Sequence, residues 1–194
     1  MMDSLTLDTN TKRNKIHPHM FALWLSLGSI TMMFVAFTSA YMVKQAAGNW
    51  LDFAIPSIFY ISTVILIISS LTMHFSYKAY SAGNKGAYKM LLLVSLILGI
   101  TFIVLQYNGW MELFGLGVDL KRNVSGSFFY LITSVHAAHI LGGIAAITVA
   151  TLRAFVLKFK VTEKRKLGLS LICQYWHYVD FLWIYLLGFL LLNR

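Results

Sequence analysis

The sequence predicts an all-α membrane protein, a bundle of five transmembrane helices with the N-terminus cytoplasmic and the C-terminus outside. Three observations carry this expectation. Of 194 residues, 58% are hydrophobic and only 12% are charged, about half the charged fraction of an ordinary soluble domain. The apolar residues gather into five runs, each of about twenty residues or more, enough to cross a hydrocarbon layer of ~30 Å. Lys and Arg are divided very unevenly between the connections on alternate sides.

In chain order, residues 1–19 form a polar cytoplasmic tail that carries Lys12, Arg13 and Lys15 and closes on His17, Pro18 and His19. The two histidines flank a proline at the membrane boundary, which suits a headgroup-level position, and no cleavable signal peptide is visible. Residues 20–194 read as a single transmembrane domain with spans near 20–43, 54–75, 89–108, 127–152 and 168–192. Each span is helical, because backbone polar groups in lipid must be satisfied within the segment.

The side of the N-terminus holds twelve basic residues, the tail's three with Lys78, Lys85, Lys89, Arg153, Lys158, Lys160, Lys164, Arg165 and Lys166, whereas the other side holds Lys44, Lys121, Arg122 and Arg194. That asymmetry sets the orientation. It also accounts for the net charge of +9 as topology, so nucleic acid is not an expected partner. The longest outer connection, about 109–126, contains Gly109, Trp110, Glu112, Gly115, Gly117 and Gly126. It suits either an ordered interfacial or re-entrant turn or a flexible connector.

The richest chemistry lies in the fifth span, where Tyr175–Tyr185 packs aromatic residues around His177 and Asp180. A charged side chain at mid-membrane costs about 2.5–3.5 kcal/mol on insertion scales, so such a residue needs a partner. In the fourth span His136, His139 and Gly143 share a helix face, and the small residues Ala137, Ala138, Gly142 and Gly143 permit close helix approach. At 1.5 Å per residue, His136 and His177 both lie roughly 13 Å inside their spans. The expectation is one buried polar cluster of His136, His139, His177 and Asp180 joining spans four and five.

A structural network is favoured over a haem, a metal site or a proton path. His136 and His139 on one helix cannot be the two axial ligands of one haem, and a metal site needs three or four convergent ligands where the spans offer a single carboxylate. No catalytic, cofactor-binding or metal-ligating residue is therefore assigned. Cys173 reads as a small buried hydrophobe, Met32 and Met33 as packing residues, and His74 as interfacial. Trp24, Trp110, Trp176, Trp183 and Arg153 are candidate interface and lipid-headgroup residues.

Together these stretches resemble the subunit III family of the haem-copper terminal oxidases, the cytochrome c oxidase subunit III family. The family's closing motif is similar to Tyr175–Trp183, its histidine helix to Phe128–Gly142, and its outer loop to Gln106, Trp110, Gly117 and Ser125–Ser127. The likeness covers about 20–192, in the form that lacks the family's first two spans. Two departures stand out: Ile30 follows Ser29 where the family usually has a buried glutamate, and Gly109 precedes Trp110 where the family commonly has Glu.

The resemblance implies a non-catalytic subunit of an oxidase that reduces oxygen with coupled proton translocation in aerobic electron transport, supporting assembly, stability, lipid binding, oxygen access and proton uptake. Haem and copper would belong to partner subunits, this chain would carry none, and bound phospholipid is expected. Implied partners are catalytic subunit I, subunits II and IV, membrane phospholipids and a respiratory supercomplex, in a bacterial cell (inner) membrane. Two alternatives stay open at this point: subunit III of a quinol oxidase, and a small membrane b-type cytochrome with its own haem. A transporter coupled through Asp180 is disfavoured, because neither inverted repeats nor interrupted helices show clearly.

Overall fold

The computed structural model describes residues 17–48, 50–118 and 123–193. Most of the polar tail with Lys12, Arg13 and Lys15, the pair Lys121 and Arg122, and Arg194 lie outside the described residues. Five helices follow one another: α1 (Pro18–Ala46), α2 (Ile58–Ser81), α3 (Lys85–Gly115), α4 (Val124–Val156) and α5 (Glu163–Leu192). All five are long and apolar enough to cross a membrane, and no strand occurs among the described residues.

The ends of the helices are set locally. Pro18, which has no N–H to leave orphaned, opens α1, whereas Asn84 caps α3 by accepting from the Ala87 N–H and Thr162 caps α5 by accepting from the Arg165 N–H, both satisfying a donor that the first turn leaves orphaned. The α2–α3 turn is a tight reversal. Gly83 adopts φ 77°, a left-handed conformation that favours glycine, so that Asn84 N–H reaches Ala79 C=O at 2.9 Å and Gly83 N–H reaches Tyr80 C=O at 3.1 Å. Those two bonds close the helix end in a Schellman arrangement.

α2, α3, α4 and α5 surround the core in that cyclic order, and α1 lies outside them against α4 and α5. Hydroxyls on α2 bind α3: Ser69 Oγ donates to Ser95 C=O at 3.0 Å, Thr72 and Ser95 hydroxyls meet at 2.7 Å, and Ser76 Oγ donates to Tyr88 C=O at 3.2 Å. α1 buries only Phe34, Thr38 and Tyr41, yet it is joined to α5 by a regular polar seam. Thr31 pairs with Tyr178 at 2.8 Å and Thr38 with Tyr185 at 3.1 Å, one heptad apart on both helices. Trp24 Nε1 donates to Gln174 Oε1 at 3.2 Å before them, and Tyr41 OH donates to Asn193 C=O at 2.9 Å after them. Residue numbers rise together along both helices, so α1 and α5 run parallel, as the first and fifth spans of an alternating topology must.

The helices outrun the spans predicted from the sequence. α3 continues to Gly115, so Gly109, Trp110 and Glu112 are helical rather than part of an outer turn or connector. The reason is local packing. A Cβ at Gly109 would stand 2.7 Å from Phe59, so the missing side chain lets α2 and α3 close over this extra turn, and Leu113 completes it as a fully buried residue.

Candidate functional site

The Tyr175–Tyr185 block of α5 is the hub of the bundle. Trp176 and Trp183 are completely buried. Trp176 Nε1 donates to Ser69 Oγ at 3.2 Å and Trp183 Nε1 to Thr63 Oγ1 at 2.9 Å, which pins α5 to α2. The Trp176 ring also fills two glycine hollows: a Cβ on Gly143 of α4 would meet it at 2.7 Å and one on Gly99 of α3 at 3.0 Å. Tyr175 OH donates to His139 C=O at 3.0 Å, tying α5 to α4. Trp176 and Trp183 are therefore core anchors, not the lipid-facing interface residues that their type suggested. Of the other candidates, Trp24 is exposed, and Trp110 is half-buried and donates through Nε1 to Thr133 Oγ1 at 3.1 Å.

The four residues expected to form one polar cluster separate into two groups, and among the described residues no hydrogen bond or ring contact joins them. His136 is fully buried and stacks on Trp183 with centroids 5.0 Å apart and planes at 25°. Phe102 and Phe34 meet it edge-on at 6.2 and 6.3 Å. His139, one turn on, lies against Phe34 at 5.8 Å and donates from Nδ1 to its own helix at Val135 C=O, 2.8 Å away. Both nitrogens of His136, both amide atoms of Gln106, Ser125 Oγ and Asp180 Oδ1 are buried without a hydrogen-bond partner among the described residues.

His177 turns the other way, toward α2. Its Nδ1 hydrogen-bonds the Ser70 hydroxyl, and the same Ser70 lies beside the Asp180 carboxyl. His74 of α2 completes this face, with its ring 5.7 Å from that of His177. His74 is thus inside the α2–α5 contact and not simply interfacial. The physical reason for the split is angular: His177 diverges by about 100° from its neighbour Trp176 and by about 120° from Trp183, six residues on, so with the Trp176 ring seated against Gly143 and Gly99 and Trp183 stacked on His136, His177 is turned away from His136 toward Ser70 and His74 of α2.

Sequence reasoning also missed that Cys173 belongs with this second group. His74, Cys173 and His177 bring their ligand atoms within 4.8 Å of one another. The i, i+4 spacing of Cys173 and His177 was a legible signal. The contribution of His74 was not, because nothing in the sequence says which face of α2 meets α5.

A third feature lies toward the side of the helix ends that carry Arg153, Lys164 and Arg165. A cleft of about 1010 Å³ opens there, with apolar walls including Ala150, Leu157 and Ile172. Its connecting segment is anchored by Tyr80, whose OH donates to Lys160 C=O at 3.0 Å, and by Arg165, which donates to Lys158 C=O at 3.0 Å.

Comparison with known proteins adds an identification at the level of family. Residues 21–192 match the family described as cytochrome c oxidase subunit III. The chain is 30% identical to a probable cytochrome c oxidase subunit 3 from Nocardia farcinica over 84% of its own length and 80% of the relative's. It is 32% identical to cytochrome c oxidase subunit 3 from Corynebacterium diphtheriae over 79% and 77%, respectively. The match to cytochrome c oxidase subunit 3 from Rattus norvegicus is 29% identical and covers 65% of this chain but 46% of the longer relative.

Proposed function

Because the chain belongs to the cytochrome c oxidase subunit III family, a family of non-catalytic subunits of haem-copper oxidases, we propose that it is a packing subunit of a bacterial inner-membrane oxidase. Its N-terminus is cytoplasmic, its redox groups belong to a catalytic partner subunit, and its task is to support assembly, stability, oxygen access and proton uptake. The observation that carries this reading is the hub on α5. His136 is fully buried, with Trp183 stacked on its ring at 5.0 Å and Phe102 and Phe34 edge-on at 6.2 and 6.3 Å, which leaves no space beside its nitrogens for a porphyrin. His136 is thereby committed to packing, which disfavours a cytochrome whose haem it would ligate.

The basic-ended cleft supports a bound phospholipid. Arg153, Lys164 and Arg165 stand at its rim above apolar walls, a match to a headgroup phosphate followed by acyl chains. Purifying the tagged chain from native membranes in mild detergent tests the whole reading. A haem-copper catalytic subunit should accompany it in equal amount. A chain that purifies alone with a stoichiometric Soret band would refute it.

A further inference from the structure

We propose that His74, Cys173 and His177 form a binding site for a borderline-soft cation of the zinc type, seated between α2 and α5. Their ligand atoms lie within 4.8 Å of one another. Tetrahedral zinc holds thiolate and imidazole at about 2.0–2.3 Å, which sets its ligands on the order of 3.5 Å apart. Closing the difference takes side-chain rotation of about 1 Å and no helix movement. One sulfur and two imidazoles select zinc over the hard cations magnesium and calcium, and three protein ligands leave a fourth position open.

The site stands on rigid elements. Cys173 and His177 are one turn apart on α5, and the register of α5 against α2 is fixed by the bonds from Trp176 to Ser69 within the site's own turn and from Trp183 to Thr63 two turns on. An outer shell is already built. Ser70 occupies Nδ1 of His177, which keeps Nε2 for a metal, and Asp180 stands behind Ser70. A carboxylate, a hydroxyl and an imidazole in series orient a metal-binding histidine and raise its basicity. Asp180 is then a positioning residue. Binding exchanges the Cys173 thiol proton for a sulfur–metal bond, and the proton leaves past half-exposed His74, which lies about 10 Å along α2 from the helix end at Ser81.

The test uses the chain as purified from membranes with its bound partners. The sample is stripped with chelator, reloaded with Zn²⁺ and desalted. Wild type should retain one zinc per chain beyond any held by partner subunits, and X-ray absorption at the zinc edge should show one sulfur near 2.3 Å with nitrogen near 2.0–2.1 Å. Cys173→Ser and His74→Gln should each lose that equivalent, while Asp180→Asn should keep it with affinity about 10–100-fold weaker. Wild type without the extra zinc, a zinc shell lacking sulfur, or loss of the zinc in His19→Gln but not in Cys173→Ser would each overturn the proposal. Because wild type alone supplies two of those outcomes, a variant that fails to assemble does not shelter it.

Discussion

Gly143→Ala is the most direct test of the hub. A Cβ at this position would stand 2.7 Å from Trp176 Cζ3, 2.8 Å from Cε3 and 3.2 Å from Tyr175 Cε1. Ordinary carbon contacts fall at about 3.5–4.0 Å, so the ring must retreat by roughly 0.8 Å. The same ring already lies in the hollow left by the missing side chain of Gly99 and its Nε1 is held by Ser69, so a retreat presses it toward the α3 backbone and strains that bond.

Overpacking of this kind costs about 1–3 kcal/mol, and the rigidity of the ring places Gly143→Ala in the upper half of that range. Gly188→Ala on α5, where a Cβ meets nothing within 4 Å, is the control and should be neutral or slightly stabilising through helix propensity. Stability is read by titrating the purified chain, in mixed micelles, with a denaturing detergent and following tryptophan fluorescence. Replacing the ring removes the clash, so Trp176→Leu combined with Gly143→Ala should destabilise less than the two single changes together, with a coupling of about 1–2 kcal/mol. A single-variant cost under about 0.5 kcal/mol, or strict additivity in the cycle, would show that Trp176 does not fill the Gly143 hollow.

Three further outcomes follow from other parts of the structure. Tyr178→Phe breaks one rung of the α1–α5 seam, and a double-mutant cycle with Thr31→Val in the same detergent titration should return about 0.6 kcal/mol, up to about 1.7; no coupling would mean that the Tyr178 hydroxyl is held to α1 by Leu27 C=O and not by Thr31. The orientation is checked with an impermeant thiol reagent on intact cells, since Cys173 is buried and gives little background. Ala47→Cys should label from outside and Ala82→Cys only after the cells are opened, and the reverse pattern would invert the topology. In the cleft, Arg153→Gln with Lys164→Gln should lower the anionic phospholipid retained per chain after delipidation, measured by phosphorus analysis and lipid mass spectrometry. An unchanged content would remove these side chains from any lipid site.

The number of helices was legible, though not where each ends, because lipid imposes one rule that composition answers directly: a backbone crossing the hydrocarbon must bond to itself for about twenty residues. Which faces meet was only partly legible. In water an apolar stripe marks the inner face of a helix, but here lipid-facing positions such as Met32, Ile61 and Phe181 are exposed and apolar, so hydrophobic periodicity carries no direction. What does carry direction is the minority of other residues. Glycines 99, 109 and 143 mark the close approaches, and the Thr31–Tyr178 and Thr38–Tyr185 pairs repeat at seven on both helices.

Rotation about the helix axis is also what separates the two halves of the expected polar cluster. His136 and His177 have matched depth, but depth fixes only one of the two coordinates that a contact needs. The other is rotation about the helix axis, and that is set by bulk. Trp176 requires the glycine hollows of α3 and α4, and His136 must accept Trp183 as its stacking partner. With those rings seated, α5 has no freedom left to turn. His177 and Asp180 are delivered to α2 beside Ser70 and His74, so the chemistry on that face is a consequence of tryptophan packing on the adjoining one.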